Sequence, residues 1–355
     1  QRQMCIRDSL MEHHSNMLPW RRDGREALYA RVRPSDGSLD LSDLEAKIRR
    51  NASRLRMVTV TGASNVTGNM PPIRRIARLA HEHGAWFAVD ATQLVPHRPF
   101  SMGAPDDPER VDFVAFSAHK MYAPFGAGVL VGPKAFFEDG EPDIVGGGTI
   151  HAVTLDNVYW ASGPERDEAG TPNVTGALAL TIAIRTLQSI GMENAAEQER
   201  QLTQRLLSRL RGIDGLELYG EREVSLRRDR IGVVPFNLRG MGHARLAAVL
   251  GYEWGIGVRN GCFCAQPYVR KLLGVSDAEM RQVLERLSHG DHATVPGMVR
   301  ASIGLYNTPD EVDYLAEALR AVATHGSSAR YVLDPKYMQY VPEQPVFGFE
   351  KGASS

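Results

Sequence analysis

Short apolar runs alternate with amphipathic stretches along most of the chain. Leu55–Val60 (LRMVTV) is apolar and rich in β-branched residues, which reads as a buried strand. In Pro71–His83, residues Ile73, Ile76, Ala77 and Ala80 recur at helical spacing, and Gly84 stands at the stop. Ala85–Asp90 (AWFAVD), Val111–Phe116 (VDFVAF) and Ala127–Val131 (AGVLV) are further strands. All are apolar on both faces, as a parallel sheet covered by helices requires. Strand, helix, strand order predicts an α/β architecture.

After Thr171 the texture changes. Pro172–Ile190 is a long, mostly apolar helical pattern that predicts a buried helix, and Glu193–Leu210 alternates charge with leucine. Short strands follow around Leu216–Tyr219, Ile231–Leu238 and Gly255–Arg259, with a helix at His243–Leu250. Ser276 with Glu279, and Thr308 with Glu311, are capping boxes. The first leads a stripe of Met280, Val283, Leu284 and Leu287; Pro309 sits at the first helical position of the second. The tail from Ser327 is aperiodic, a packed extension or a loose one. Residues 1–9 (QRQMCIRDS) have neither period nor turn chemistry and read as foreign to the fold. The expected division is a large domain over 10–190, a smaller α+β domain over 191–326 and an extension over 327–355.

Composition removes several classes of function. In 355 residues, 41 Lys+Arg face 42 Asp+Glu, a net charge of −1 that lacks the basic footprint of a nucleic-acid binder. No apolar run approaches the roughly 18–20 residues that span a bilayer, so no membrane role is expected. Three cysteines (Cys5, Cys262, Cys264) are too few for a disulfide framework and point to a reducing, cytoplasmic setting.

Candidate chemistry gathers in two places. Asp90 ends a buried strand, the position outside which ligands bind in open α/β sheets. Lys120 follows another strand and precedes the Gly- and Pro-rich run Tyr122–Gly128. A desolvated lysine has a lowered pKa and can condense with an aldehyde. A Schiff-base lysine with an acid facing the pyridine nitrogen is the pairing that pyridoxal phosphate needs. Ser117 and His119 flank the lysine and could hold a phosphate. The plainer alternatives are a turn aspartate and a solvated lysine. The second place joins VRNGCFCAQP to VRASIGLYNT. Arg259 or Arg300 could grip a carboxylate with its planar fork. Cys264, in a polar loop near Arg259, is a candidate reactive thiol, with an inert thiol and surface ion pairs as the alternatives. Cys262 and Cys264 could form half a metal site, but no second Cys/His pair with ligand spacing lies nearby, so no metal is expected.

Taken in order, EHHSNMLPW, SNVTG, VDATQ, SAHKMYAPFGAGVL, EAGTPN, RNGCFCAQP and VRASIGLYNT resemble the class V aminotransferase-fold enzymes. The resemblance runs from about residue 10 to residue 325 and is strongest to cysteine desulfurases and selenocysteine lyases. It implies a fold-type I pyridoxal phosphate enzyme that takes sulfur from L-cysteine as a Cys-bound persulfide and forms L-alanine. Carried over, Lys120 binds the cofactor aldehyde, Asp90 pairs with its ring nitrogen and Gln93 with its phenolic oxygen. His13 stacks on the ring and assists proton transfer, while His14 is structural. Ser117 and His119 hold the phosphate, and Thr171 reaches the phosphate of a partner subunit, which implies a homodimer. Asn65 and Arg300 bind the substrate carboxylate with Arg259 close by, and Cys264 is the nucleophile that passes sulfur to an acceptor protein. Another class V aminotransferase, epimerase or lyase, or a truncated inactive homologue, is the competing expectation.

Three departures qualify the resemblance. The Gly- and Thr-rich phosphate-binding stretch that precedes the EHH run in the family is not found ahead of it here. Cys262 and Phe263 stand where bacterial desulfurases often have histidines, in a GCFC run that also resembles molybdenum cofactor sulfurases. Residues Val275–Pro296, between Cys264 and Arg300, read as an insertion.

Overall fold

The structure, a computed structural model, describes residues 5–22, 26–220, 230–289, 295–334, 336–337 and 339–344. Its large sheet contains β1 (Cys5–Ser9), β2 (Glu26–Ala30), β3 (Leu55–Thr61), β4 (Trp86–Asp90), β5 (Phe113–Ser117) and β6 (Gly128–Val131). The strand order is β2-β1-β3-β4-β5-β6. All neighbours are parallel except β6, which runs antiparallel to β5. Helices α1 (His14–Met17), α2 (Leu41–Arg50) and α3 (Ile73–Glu82) connect the first strands, and α4 (Lys134–Phe137) follows β6. Of the α3 residues at the expected helical spacing, Ile76, Ala77 and Ala80 are buried and Ile73 is partly buried.

The reading of residues 1–9 as foreign is corrected for residues 5–9; residues 1–4 lie outside the described residues. Cys5–Ser9 pairs with β2 on one edge and β3 on the other. A short strand bonded on both edges shows no amphipathic period, so its sequence gives no signal. Asp8 is fully buried there and its Oδ2 has no hydrogen-bond partner among the described residues. Burial, reinforced by the nearby Glu12 charge, pushes its carboxyl well above the usual range.

Beyond a hairpin of β7 (Ile150–Val153) and β8 (Val158–Trp160) come α5 (Val174–Ile190) and α6 (Met192–Leu210). The expectation that the first of these is buried is also corrected. Val174, Leu178 and Ile182 are 70%, 60% and 58% exposed, and only Gly176, Leu180 and Leu187 are buried. Apolar composition reports a preference for cover and does not say where the cover lies.

The second sheet contains β9 (Leu216–Leu218), β10 (Val233–Leu238), β11 (Arg259–Gly261) and β12 (Met298–Ser302), in the order β11-β12-β10-β9 and wholly antiparallel. With it go α7 (His243–Trp254), α8 (Gln266–Leu273), α9 (Asp277–Ser288) and α10 (Pro309–His325). Both capping boxes form as read. In α9, however, only Val283 of the expected stripe is buried, and Leu284 is exposed. The strand expected at Gly255–Arg259 starts at Arg259 instead, because Gly255 caps α7 with a left-handed backbone. The aperiodic tail forms the hairpin of β13 (Tyr331–Asp334) and β14 (Gln339–Pro342), anchored by Tyr331 on Glu253 of α7 at 3.1 Å. Part of the expected insertion, residues 290–294, lies outside the described residues.

Two large apolar cores result, with a smaller third in which Ala118, Met121 and Ala123 pack against Leu180 and Leu187 of α5. One large core lies between the large sheet and its helices; the other joins α6, α7 and α10 to the second sheet. Ile231, Val233, Phe263, Tyr268 and Met298 cross over and pack into the first core. Buried Glu199 on α6 adds a polar tie, accepting from Arg98, His97 and the Gly232 amide.

Candidate active site

Parallel pairing sets Thr61, Asp90 and Ala115 side by side at the C-terminal ends of β3, β4 and β5. The segments leaving those ends carry the candidate chemistry. From β3 comes the turn holding Asn65, in which every residue from Thr61 to Asn69 is buried. The Ser64 hydroxyl accepts from the amides of Val66 and Thr67, both at 3.1 Å. Gly68 closes the turn with φ +77°, where a Cβ would lie 2.5 Å from the Ile231 carbonyl oxygen. From β4 comes Asp90, whose Oδ1 accepts from the Thr92 amide at 3.0 Å, with Gln93 half-buried in the same turn. From β5 come Ser117 and the short 3-10 turn Ala118–Met121, which carries exposed His119 and half-buried Lys120.

Lys120, Asp90, His13, Arg259, Arg300 and Cys264 share one electrostatic neighbourhood. Burial holds the Lys120 amine below the usual lysine range. Asp90 and Cys264 oppose that shift, and Arg300 and Arg259 reinforce it. His13 is lowered by burial and then by the charge of Lys120, against the opposing charge of Asp90. Its Nδ1 accepts from the Ser15 amide at 3.1 Å and caps α1, which fixes the ring. Behind it lies Glu12, fully buried, accepting from Ser9 and from Asn16 Nδ2 at 2.8 Å. Burial pushes the Glu12 carboxyl up to about 7.

The nucleophile candidate arrives from the other sheet. Cys264 follows β11 on a turn in which the Ala265 amide donates to the Cys262 carbonyl at 2.9 Å. Phe263 and Cys264 both have φ +55°, a left-handed backbone that costs of order 1–3 kcal/mol per non-glycine residue. Three tethers hold it. The His14 amide donates to the Cys264 carbonyl at 2.7 Å, Asn65 Nδ2 to the Phe263 carbonyl at 2.7 Å, and the Gln266 amide to His14 Nε2 at 3.1 Å. His14 therefore serves the backbone of the thiol loop.

Arg259 and Arg300 face each other across the β11–β12 pair. Like charges directly opposite are unfavourable unless an anion joins them. Burial and then the charge of Arg259 lower the Arg300 guanidinium to about 10. Arg300 Nη1 donates to the Asn65 carbonyl at 2.7 Å, and its Nε is buried without a partner among the described residues.

Thr171 is exposed on the loop before α5, and among the described residues no hydrogen bond joins it to the cluster. The α5 helix is capped by Asn173, which accepts from the Gly176 amide at 2.9 Å. The sequence marks Phe263 only as a departure from a pattern. Its ring lies 5.2 Å beneath the Arg300 guanidinium, a contact between segments that chain spacing does not reveal. Asn16 is a further residue that sequence reasoning missed, although the EHHSN run contains it.

A groove of about 670 Å³ crosses the face of β3 to β6, lined by Asp90, Ser117, Asn16 and Trp20 and by bare sheet residues such as Ala88, Ala115 and Leu130. Of the candidate residues, Asp90 and Ser117 line this groove, and Lys120 and His13 are not part of its lining. The neighbourhood of Lys120 suits the ring of pyridoxal phosphate: an amine lowered by burial, a strand-end acid and a half-buried imidazole. Ser117 and His119 offer hydroxyl and imidazole groups to a phosphate.

The model of the family described as aminotransferase class-V matches residues 2–315. The chain is 35% identical over 319 residues to cysteine desulfurases of Shigella sonnei and Escherichia coli, covering 88% of this chain and 70% of each relative. A cysteine desulfurase structure from Thermococcus onnurineus superposes with a TM-score of 0.77 at 32% identity, covering 91% of this chain and 74% of that one. The cysteine desulfurase CsdA of Escherichia coli gives 0.76 at 30%, covering 92% and 73%. A family match over most of the chain, joined to a lysine, an acid and a tethered cysteine around one centre, leads to one conclusion: the chain belongs to the aminotransferase class-V family.

Proposed function

We propose that the protein is a pyridoxal phosphate-dependent cysteine desulfurase, taking sulfur from L-cysteine as a persulfide on Cys264 and releasing L-alanine. The carrying observation is the neighbourhood of the Lys120 amine: burial lowers it, Asp90 and Cys264 oppose that shift, and Arg300 and Arg259 reinforce it. Cofactor chemistry, carboxylate grip and nucleophile thus meet at one amine.

When bound, pyridoxal phosphate supplies the electron sink for the bonds at the substrate Cα. Lys120 would hold its aldehyde carbon, Asp90 its ring nitrogen and Gln93 its phenolic oxygen; His13 would cover the ring, and Ser117 with His119 its phosphate. Thr171 is assigned to the phosphate of a second subunit, which fits its exposed position. Arg300 and Asn65, with Arg259 beside them, orient the substrate carboxylate. Lys120, lowered toward neutrality by burial, takes the Cα proton. Cys264 attacks the substrate sulfur as thiolate: the S–S bond forms, the C–S bond breaks, and its electron pair stays with the carbon skeleton. Protonation of that skeleton gives alanine. Selenocysteine suits the same geometry, since its C–Se bond is cleaved in the same sense.

The exposed apolar face of α5 supports a homodimer, and the half-buried Cys264 supports transfer of sulfur to an acceptor protein. A thiol that must stay reduced suits the cytoplasm. The decisive experiment is Cys264→Ala in the full chain supplied with pyridoxal phosphate. Persulfide and alanine output should fall by at least about 10²-fold, the scale of losing a key catalytic group, while cofactor absorbance persists. Undiminished output moves the protein to another class V reaction, and absence of any cofactor absorbance in the wild type would point to an inactive homologue.

A further inference from the structure

Phe263, Asn65 and Arg300 form a closed ring of contacts. The Asn65 side chain donates to the Phe263 carbonyl, the Arg300 guanidinium donates to the Asn65 carbonyl, and that guanidinium lies over the Phe263 ring. Two bonds of 2.7 Å and a ring distance of 5.2 Å define it. Phe263 is 3% exposed, so its ring cannot swing into solvent without leaving the first core. The next residue is Cys264. The segment that bears the thiol and the cation that faces the substrate therefore share one aromatic side chain.

The ring is incomplete on one side. Arg300 Nε is buried with no partner among the described residues, and Arg259 stands opposite with its own positive charge. An anion arriving between them satisfies an unfilled donor and relieves a like-charge pair. A guanidinium that shifts toward such an anion changes its contact with the face of Phe263, and so acts on the turn that carries Cys264.

We propose that Phe263 is a positioning residue that couples the carboxylate grip of Arg300 to the placement of Cys264. This rests on the desulfurase reading and deepens it. A substrate bearing an α-carboxylate sets the thiol turn as it docks, whereas a thiol without a carboxylate leaves the turn unset. Selection for amino acids over simple thiols then operates at the nucleophile as well as at the binding step.

The test uses the full chain supplied with pyridoxal phosphate. Phe263→Leu keeps an apolar side chain and removes the aromatic face; Phe263→Tyr keeps the face. In Phe263→Leu, KM for L-cysteine should rise about 3- to 30-fold, the range a cation–π contact spans between exposed and desolvated settings. Phe263→Tyr should return it to near the wild-type value. A second readout needs no turnover: the rate at which iodoacetamide alkylates Cys264, followed by peptide mass. Saturating L-alanine should change that rate in the wild type and in Phe263→Tyr, and leave it unchanged in Phe263→Leu. Cysteamine, which lacks the carboxylate, should leave the rate unchanged in all three. An unaltered KM in Phe263→Leu, equal losses in the leucine and tyrosine variants, or an equal effect of cysteamine overturns the coupling. Arg300→Ala and Cys264→Ala separate the two levels. Collapse of turnover in both with a normal Phe263→Leu removes the coupling alone, and normal turnover in both removes the desulfurase reading as well.

Discussion

At the ends of β4 and β5, Asp90, Ser117 and Lys120 are delivered by backbone that the sheet ladder already holds. Cys264 reaches the same neighbourhood on a turn with two left-handed residues, held by bonds to segments about two hundred or more positions away in the chain. In the first half, Asp90 and Ser117 line an open groove, and the ladder would keep its frame whether that groove is empty or filled. The second half exists only while its tethers do. Strand ends place groups at little conformational cost, and a strained turn places a group only where the surrounding structure overdetermines it. The thiol proposed to attack and release sulfur is on the tethered half; the groups assigned to the cofactor are on the fixed half.

Changes on the two halves should therefore fail differently. The largest expected effect is on the fixed half. Asp90→Asn keeps the acceptor for the Thr92 amide and removes the charge, so turnover should drop by roughly 10²- to 10³-fold, as when one charge-stabilising group is lost. The melting temperature should hardly move. A large fall in that temperature would show that Asp90 serves the sheet instead.

Next comes the buried acid beneath the fixed half. Glu12 is raised by burial from 4.5 to about 7. The folded state thus binds a proton more tightly than the unfolded state. The stability this lends is complete below about 4.5 and lost as pH rises through about 7. At pH 8 the loss relative to pH 4 is about 3 kcal/mol, because each tenfold difference in proton affinity between the folded and unfolded states is worth about 1.4 kcal/mol. Urea titrations at the two pH values should show this decline in the wild type and a much smaller one in Glu12→Gln. An equal decline in both proteins would move its origin to another group, Asp8 first.

The smallest effect tests the tethers. Asn65→Ala leaves the buried Phe263 carbonyl without its donor and should cost about 1–3 kcal/mol of stability. It should also speed iodoacetamide alkylation of Cys264 while leaving cofactor absorbance in place. Slower alkylation would mean that the tether exposes the thiol instead of restraining it.

Much of the fixed half was legible from the chain alone. The runs ending at Asp90 and preceding Lys120 are apolar on both sides, and a parallel sheet aligns their ends whatever the loops do. The capping boxes at Ser276 and Thr308 were equally legible, because a cap is a contact over three residues. The β1 strand was not, since a short strand bonded on both edges needs no period of its own. The exposure of α5 was hidden too, because helical apolarity does not name its partner.

By itself, then, the sequence determined which residue types stand where short-range geometry can read them: strand ends, caps, and the order of motifs that marks the family. Only the tertiary structure decided that Phe263 lies beneath Arg300, that Asn65 holds the thiol turn, and that Arg259 and Arg300 face each other. The physical reason is range. Propensity and capping act over a few residues, whereas these contacts join segments brought together by packing of the two cores, where desolvation and charge depend on neighbours that no local pattern encodes.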